Sequence, residues 1–247
     1  MSVGDMNFSC CLKPAAEASS LPPSCYTSPQ IIEHEIDKIF RKFWIGVGRS
    51  DLVKSAGDYL TLDIAGQHIL LLRDDKSKLR AFANVCRHRG ARLVDGRGST
   101  KGFRCPFHSW YYDLEGNLKA APKMEEAKGF SKDENGLVAY QVEERFGFAF
   151  VCLSCDAPPI DDYLRDFGEV HSGWPIESLI SIRRREILVE CNWKLFLEVF
   201  NEYYHLPFVH PNTVDSIYLT PCESDRVGGA FATQFGKTDG TGGLLED

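Results

Sequence analysis

The spacing of apolar residues changes character along this chain, and each change marks a part. Residues 1–27 carry no period. They are polar, with a cluster Ser19-Ser20-Leu21-Pro22-Pro23-Ser24, and read as a flexible arm in which Cys10 and Cys11 are idle thiols. A helix is expected over residues 28–43, since Ser28 is a capping hydroxyl and Pro29 suits the first helical position. Ile32, Ile36, Ile39, Phe40 and Phe43 then form one apolar stripe at i, i+4, i+7, i+8 and i+11. Glu33, Glu35, Asp37, Lys38 and Arg41 cover the other side, which makes the helix structural.

From Trp44 the rhythm shortens to that of strands. Residues 59–64 and 68–73 flank Ala65-Gly66-Gln67 and predict a hairpin. Further strands are expected over residues 78–85, 110–112, 140–142 and 146–153, giving a small antiparallel β domain at 44–157. Pro158-Pro159 marks its end, and residues 158–247 form a second domain. There the helical period returns. Trp193, Phe196, Leu197, Phe200 and Tyr204 repeat at i, i+3, i+4, i+7 and i+11, an apolar face expected to pack into a core.

Two loops at one end of the β domain carry the chemistry. The first contains Cys86-Arg87-His88 and the second Cys105-Pro106-Phe107-His108, with sixteen residues between His88 and Cys105. Mixed Cys and His knuckles suit an iron–sulfur cluster in which His replaces Cys on one of two irons. A tetrahedral Cys2His2 zinc site is the alternative, although zinc modules usually pair Cys with Cys and His with His. In the second domain Glu198, Glu202 and His205 lie at i, i+4 and i+7, opposite the apolar stripe. Pro207 is expected to break that helix and let His210 turn back towards His205, in a pocket sheltered by Leu206, Phe208 and Val209. Two His with one carboxylate is a non-haem iron donor set, while a solvated polar face is the plainer reading.

Composition narrows the partners. The net charge is −7, which speaks against nucleic acid or an anionic membrane surface. No apolar run approaches the roughly 18–20 residues that span a bilayer, and the first residues resemble no signal peptide. Nine cysteines without a secreted-type framework suit a reducing cytoplasm. Cys152-x-x-Cys155 lacks a second pair, and His34, His68 and His171 stand alone, so all read as structural. Arg183-Arg184-Arg185 reads as a solvated face, with docking of an acidic electron donor as the sharper alternative.

Cys86-Arg87-His88-Arg89-Gly90 with Cys105-Pro106-Phe107-His108-Ser109-Trp110 closely resembles a Rieske [2Fe–2S] domain. Cys191-Asn192-Trp193-Lys194, then Asn201-Glu202-Tyr203-Tyr204-His205 and His210, resembles the mononuclear-iron region of Rieske non-haem iron oxygenases, large (α) subunit. The resemblance implies an α+β fold: an antiparallel β Rieske domain, then the start of a helix-grip-like catalytic domain. It implies Cys86, His88, Cys105 and His108 as [2Fe–2S] ligands, and His205 and His210 as ligands of a mononuclear Fe(II). Glu202 matches a carboxylate, usually Asp, that bridges for electron transfer between an iron-ligand His and a cluster His, here His108, of a neighbouring subunit. Glu at that position is similar to members acting on carnitine-like quaternary amines, and Tyr203, Tyr204 and Phe208 would suit a cation–π box.

The same resemblance implies O2 and a small organic substrate. It also implies a reductase, with or without a ferredoxin, drawing on NAD(P)H, and a homotrimer or α/β hexamer. The family's third iron ligand, an Asp, is expected beyond Asp247; Asp215, Asp225 and Asp239 match no family position. Residues 240–247 read as mid-domain loop, so the chain is expected to be the N-terminal part of a longer subunit that cannot turn over alone. Two further functions stay open: an aromatic-ring dihydroxylating dioxygenase α subunit, and a Rieske electron carrier without oxygen chemistry.

Overall fold

The structure, a computed structural model, describes residues 7–14, 16–202, 204–210, 226–228 and 231–233. The chain divides into two compact units. One is Glu35–Asp162 with Gly168–Arg184; the other is Met1–His34, Tyr163–Phe167 and Arg185–Asp247.

The first unit is antiparallel β. Its strands are β1 (Ile45–Arg49), β2 (Asp58–Ile64), β3 (Gln67–Arg73), β4 (Leu79–Ala83), β5 (Arg97–Ser99), β6 (Phe103–Arg104), β7 (Tyr111–Tyr112), β8 (Leu118–Ala120), β9 (Ala139–Arg145) and β10 (Phe148–Cys152). Seven form one sheet in the order β1-β10-β9-β4-β3-β2-β5, and β6-β7-β8 form a second. The interior strand β3 explains the two cores. Ile69, Leu70, Leu71 and Leu72 are all at most 1% exposed, so this strand is apolar at both phases of its period and covered on both faces. Ile69 and Leu71 pack with Val53, Leu60, Ile64 and Val151. Leu70 and Leu72 face the other core, with Cys86, Cys105, Trp110 and Tyr112. Each such Leu contributes about 1.5–3 kcal/mol, and the second core forms the floor beneath the two Cys/His loops.

The expected hairpin is present, with Ile64 opposite Gln67. Its two turn residues, Ala65 and Gly66, have φ of 48° and 77°. Two positive φ values define the turn that matches strand twist in a two-residue hairpin.

The helix expected over 28–43 is shorter and changes pitch. The α1 turn (Ser24–Thr27) precedes α2 (Pro29–Glu35), which passes into a π-helical turn at Ile36–Phe40. The wider turn breaks the 3.6-residue phase, so the stripe does not form one buried face. Ile39 and Phe43 are 37% and 40% exposed, and the buried side chains are Ile31 and Trp44. The Ser28 hydroxyl bonds the Gln30 side chain rather than a helical N–H.

Short helices α3 (Ile160–Leu164) and α4 (Phe167–Val170) follow β10. The second unit holds α5 (Trp193–Phe200), α6 (Leu206–Val209) and a hairpin of β11 (Arg226–Gly228) with β12 (Phe231–Thr233). Asn192 caps α5 through Oδ1 to the Lys194 N–H, and its Nδ2 donates to Tyr26 O at 3.1 Å. The Tyr26 hydroxyl donates to Glu198 at 2.8 Å; burial and that carboxylate push the phenol up to about 12. The helix stops at Phe200, earlier than its apolar period suggested. Phe196, Leu197, Phe200 and Tyr204 are roughly half to mostly exposed rather than core.

Candidate metal centres

The two Cys/His loops are built on one hydrogen-bond frame. Cys86 N–H donates to Ala91 O at 2.8 Å and Gly90 N–H to Cys86 O at 3.0 Å; Cys105 N–H donates to Trp110 O at 2.8 Å and Ser109 N–H to Cys105 O at 3.0 Å. Each frame needs a left-handed residue at its fifth position. Gly90 supplies it at φ 74°, and Ser109 adopts it at φ 60°, at about 1 kcal/mol for a residue with a Cβ. Asn84, 1% exposed, ties the base of the first loop. Its Nδ2 donates to Val94 O at 2.7 Å, and its Oδ1 accepts from Leu93 N and Val94 N.

These frames sort the donors by type. Cys86 and Cys105, each 2% exposed, lie on the floor with their thiols in contact. His88 and His108 lie together, ring centroids 4.7 Å apart, and His88 stacks on Trp110 at 4.8 Å and 14°. The rim is Phe107, 58% exposed, with the Arg89 guanidinium 5.5 Å above its ring. Burial pushes the Cys86 thiol up, while the Tyr112 hydroxyl and the His88 backbone N–H pull it down. Tyr112 is fully buried; its oxygen accepts from Arg87 N at 3.1 Å and lies 3.4 Å from Cys86 Sγ.

One atom here asks for a partner. His88 Nδ1 is buried with no hydrogen-bond partner, a cost of about 1–3 kcal/mol that a metal bond would remove. A thiol pair beside an imidazole pair, each loop giving one of both, fits a [2Fe–2S] rhomb with Cys on one iron and His on the other. Among the described residues no three such donors close on a single point. From the paired thiols and paired imidazoles, Cys86, His88, Cys105 and His108 are proposed as the residues that would hold the cluster.

The second constellation is local. Glu202 Oε1 lies 2.5 Å from His205 Nδ1, and Oε2 accepts the His205 backbone N–H at 3.1 Å. The His205 bond, before other contributions, holds the Glu202 carboxyl below the usual range. With Nδ1 engaged, Nε2 is the nitrogen left for a metal. His205 and His210 sit at the two ends of α6, ring centroids 5.5 Å apart at 74°. That spacing lets both imidazoles reach one ion at about 2.1 Å, so His205 and His210 fit an iron with Glu202 behind them.

Two expectations about this segment change. Pro207 does not break α5, which has already ended; it lies in the first turn of α6, where a missing N–H is tolerated. Nor do Phe208 and Val209 shelter the imidazoles, being 73% and 63% exposed. Tyr204 and Phe208 meet edge to face, ring centroids 6.0 Å apart; Tyr203, Asp215, Asp225 and Asp239 lie outside the described residues. Tyr112 and Asn84 were given no role in the sequence, where Tyr112 showed only within the strand expected over 110–112; Trp110 appeared as the last residue of the second-loop motif, without a role of its own. Cys152 is buried and Cys155 exposed, both as free thiols. His68 contacts Asp63 and Arg92.

Residues 43–135 match the Rieske [2Fe-2S] domain family, and residues 170–243 match the ring hydroxylating alpha subunit (catalytic domain) family. The carnitine monooxygenase oxygenase subunit of Escherichia coli K12 is 36% identical over 206 residues, covering 82% of this chain and 55% of that protein. The chloroplastic choline monooxygenase of Atriplex hortensis is 33% identical over 244 residues, covering 94% and 54%. The chain thus spans about half the length of these relatives. The quaternary ammonium Rieske monooxygenase CntA with γ-butyrobetaine superposes with a TM-score of 0.82 at 32% identity, covering 89% of this chain and 62% of that one. Naphthalene 1,2-dioxygenase with indole gives 0.69 at 29%, covering 76% and 45%. The chain thus joins a Rieske [2Fe–2S] domain at residues 43–135 to ring hydroxylating alpha subunit catalytic sequence at residues 170–243, and over most of its own length it is similar to the oxygenase subunits of Rieske monooxygenases.

Proposed function

We propose that the chain is the oxygenase component of a multicomponent system that uses O2 and reductase-supplied electrons to hydroxylate a small quaternary amine. The observation that carries this reading is Glu202 gripping His205 through both its N–H and Nδ1, with His210 alongside. When bound, a [2Fe–2S] cluster supplies single electrons and a mononuclear iron activates dioxygen. The residues supply the setting. Glu202 fixes the tautomer of His205, and its carboxylate is proposed to bridge to His108 of a neighbouring copy in a homotrimer. A crystal structure similar to this chain, that of a quaternary ammonium Rieske monooxygenase, is described as revealing inter-subunit electron transfer. Residues 44–157 would be the electron-accepting module and 158–247 the beginning of the catalytic one.

The quaternary-amine substrate rests on the likeness to carnitine, choline and glycine betaine monooxygenases. Tyr204 and Phe208 offer aromatic faces to such a cation. Hydroxylation at the carbon beside a quaternary nitrogen would lead to loss of the amine. An aromatic-ring dioxygenase is the second reading, favoured by the likeness to naphthalene 1,2-dioxygenase. The partners are a reductase, with or without a ferredoxin, and the compartment is the cytoplasm; among the described residues no helix is long and apolar enough to cross a membrane.

In the full-length protein, Glu202→Gln is expected to keep both metals and lose nearly all turnover; normal turnover would refute the bridge. Iron per chain separates an oxygenase, with three, from a bare electron carrier, with about two.

A further inference from the structure

The segment that leaves the β unit is held in an unusual way. Residues 179–190 have no regular secondary structure. Their apolar side chains find little cover: Leu179, Ile180 and Ile182 are 54%, 71% and 94% exposed. Hydrophobic burial therefore cannot be what fixes this stretch. Polar contacts do so instead. The Arg49 guanidinium donates to Phe146 O at 3.1 Å, Ile176 O at 3.0 Å and Glu177 O at 3.3 Å, and also to Leu179 O. It lies 4.7 Å over the Phe148 ring. Two residues further on, Asp51 takes the Ser181 N–H at 2.7 Å and the Ser181 hydroxyl at 2.9 Å. Burial pushes the Asp51 carboxyl up, but the two Ser181 donors and the Arg49 charge outweigh it and hold it low. Gly147 leaves room for the guanidinium, which a Cβ there would strike.

We propose that Arg49 and Asp51 form a two-point clamp that sets the path by which the chain leaves the β unit, and that both are positioning residues for electron transfer. A planar fork bonded to several carbonyls is specific in direction as well as energy. The part played in electron transfer rests on the oxygenase reading above; the clamp itself does not. Arg183, Arg184 and Arg185 follow the clamp at once and are exposed, so they report directly on whether it holds.

The experiment uses full-length, metal-loaded protein with Arg49→Met, Asp51→Asn and the milder Arg49→Lys. Limited tryptic cleavage at Arg183–185 is expected to quicken about tenfold in the first two, because local opening controls cleavage. The cluster's visible spectrum and its rate of reduction by the donor should not change. Product formed in one turnover of pre-reduced protein should slow at least about tenfold, since small misplacements are costly. Arg49→Lys should recover part of both effects. Unchanged cleavage in all three variants overturns the clamp. Faster cleavage with undiminished single turnover overturns the positioning role. If the unsubstituted protein makes no product, the oxygenase reading and the positioning role fall together, and cleavage alone then decides the clamp.

Discussion

Tyr112→Phe removes one oxygen from the largest fully buried side chain among the described residues. The ring is fully buried and stays so, and no cavity larger than a hydroxyl opens. Two contacts are lost: the bond accepted from Arg87 N at 3.1 Å and the contact with Cys86 Sγ at 3.4 Å. The Arg87 N–H is then left without its acceptor, which costs about 1–3 kcal/mol of stability. The Cys86 contact acts on a different quantity. A hydroxyl donating to a cluster sulfur favours the more negative, reduced state. A loss of about 1–2 kcal/mol there, converted at 59 mV per tenfold for one electron, lowers the midpoint potential by about 40–90 mV. Denaturant unfolding measures the first effect and an EPR-monitored redox titration the second. A variant whose potential stayed within about 10 mV of the parent, against that expected shift, would refute the role given to the hydroxyl.

Other perturbations test neighbouring parts. Asn84→Ala withdraws one donor and one doubly used acceptor from the base of the first loop, and unfolding should show a loss of about 2–4 kcal/mol together with poorer iron retention. Ala65→Asn puts a residue that tolerates positive φ before Gly66, and a gain of about 0.5–1 kcal/mol in chemical denaturation is expected. The Glu202 carboxyl is held below its ordinary 4.5 by His205. A depressed carboxylate contributes above its unfolded pKa and loses that contribution as pH falls through the folded value. The stability difference between the parent and Glu202→Gln should therefore be present above about pH 4.5 and narrow in more acid solution; a difference that stayed the same across that range in acid-dependent denaturant unfolding would contradict the pairing.

Much of the β unit was legible in the sequence because strand signals are local. Two strand-forming runs, 59–64 and 68–73, with Ala65-Gly66 between them specify a hairpin whatever surrounds it. The helices were less legible. Apolar spacing over 28–43 could not reveal the π-helical turn at Ile36–Phe40, and the stripe through Tyr204 overran a helix that stops at Phe200. Period alone does not say where a backbone hydrogen-bond pattern changes.

Spacing by itself determined which donors share a loop. Cys86 with His88, and Cys105 with His108, are neighbours in any conformation, because two or three residues of backbone cannot separate them far. Only the tertiary structure decided that thiol meets thiol on the floor and imidazole meets imidazole above it, since that choice depends on how two separate loops face each other across the Leu70 and Leu72 core. The same holds for Tyr112 beneath Cys86, and for Arg49 gripping carbonyls 127 to 130 residues further along the chain. Contacts over such separations leave no period in the sequence; they exist because packing the β unit brings those groups together.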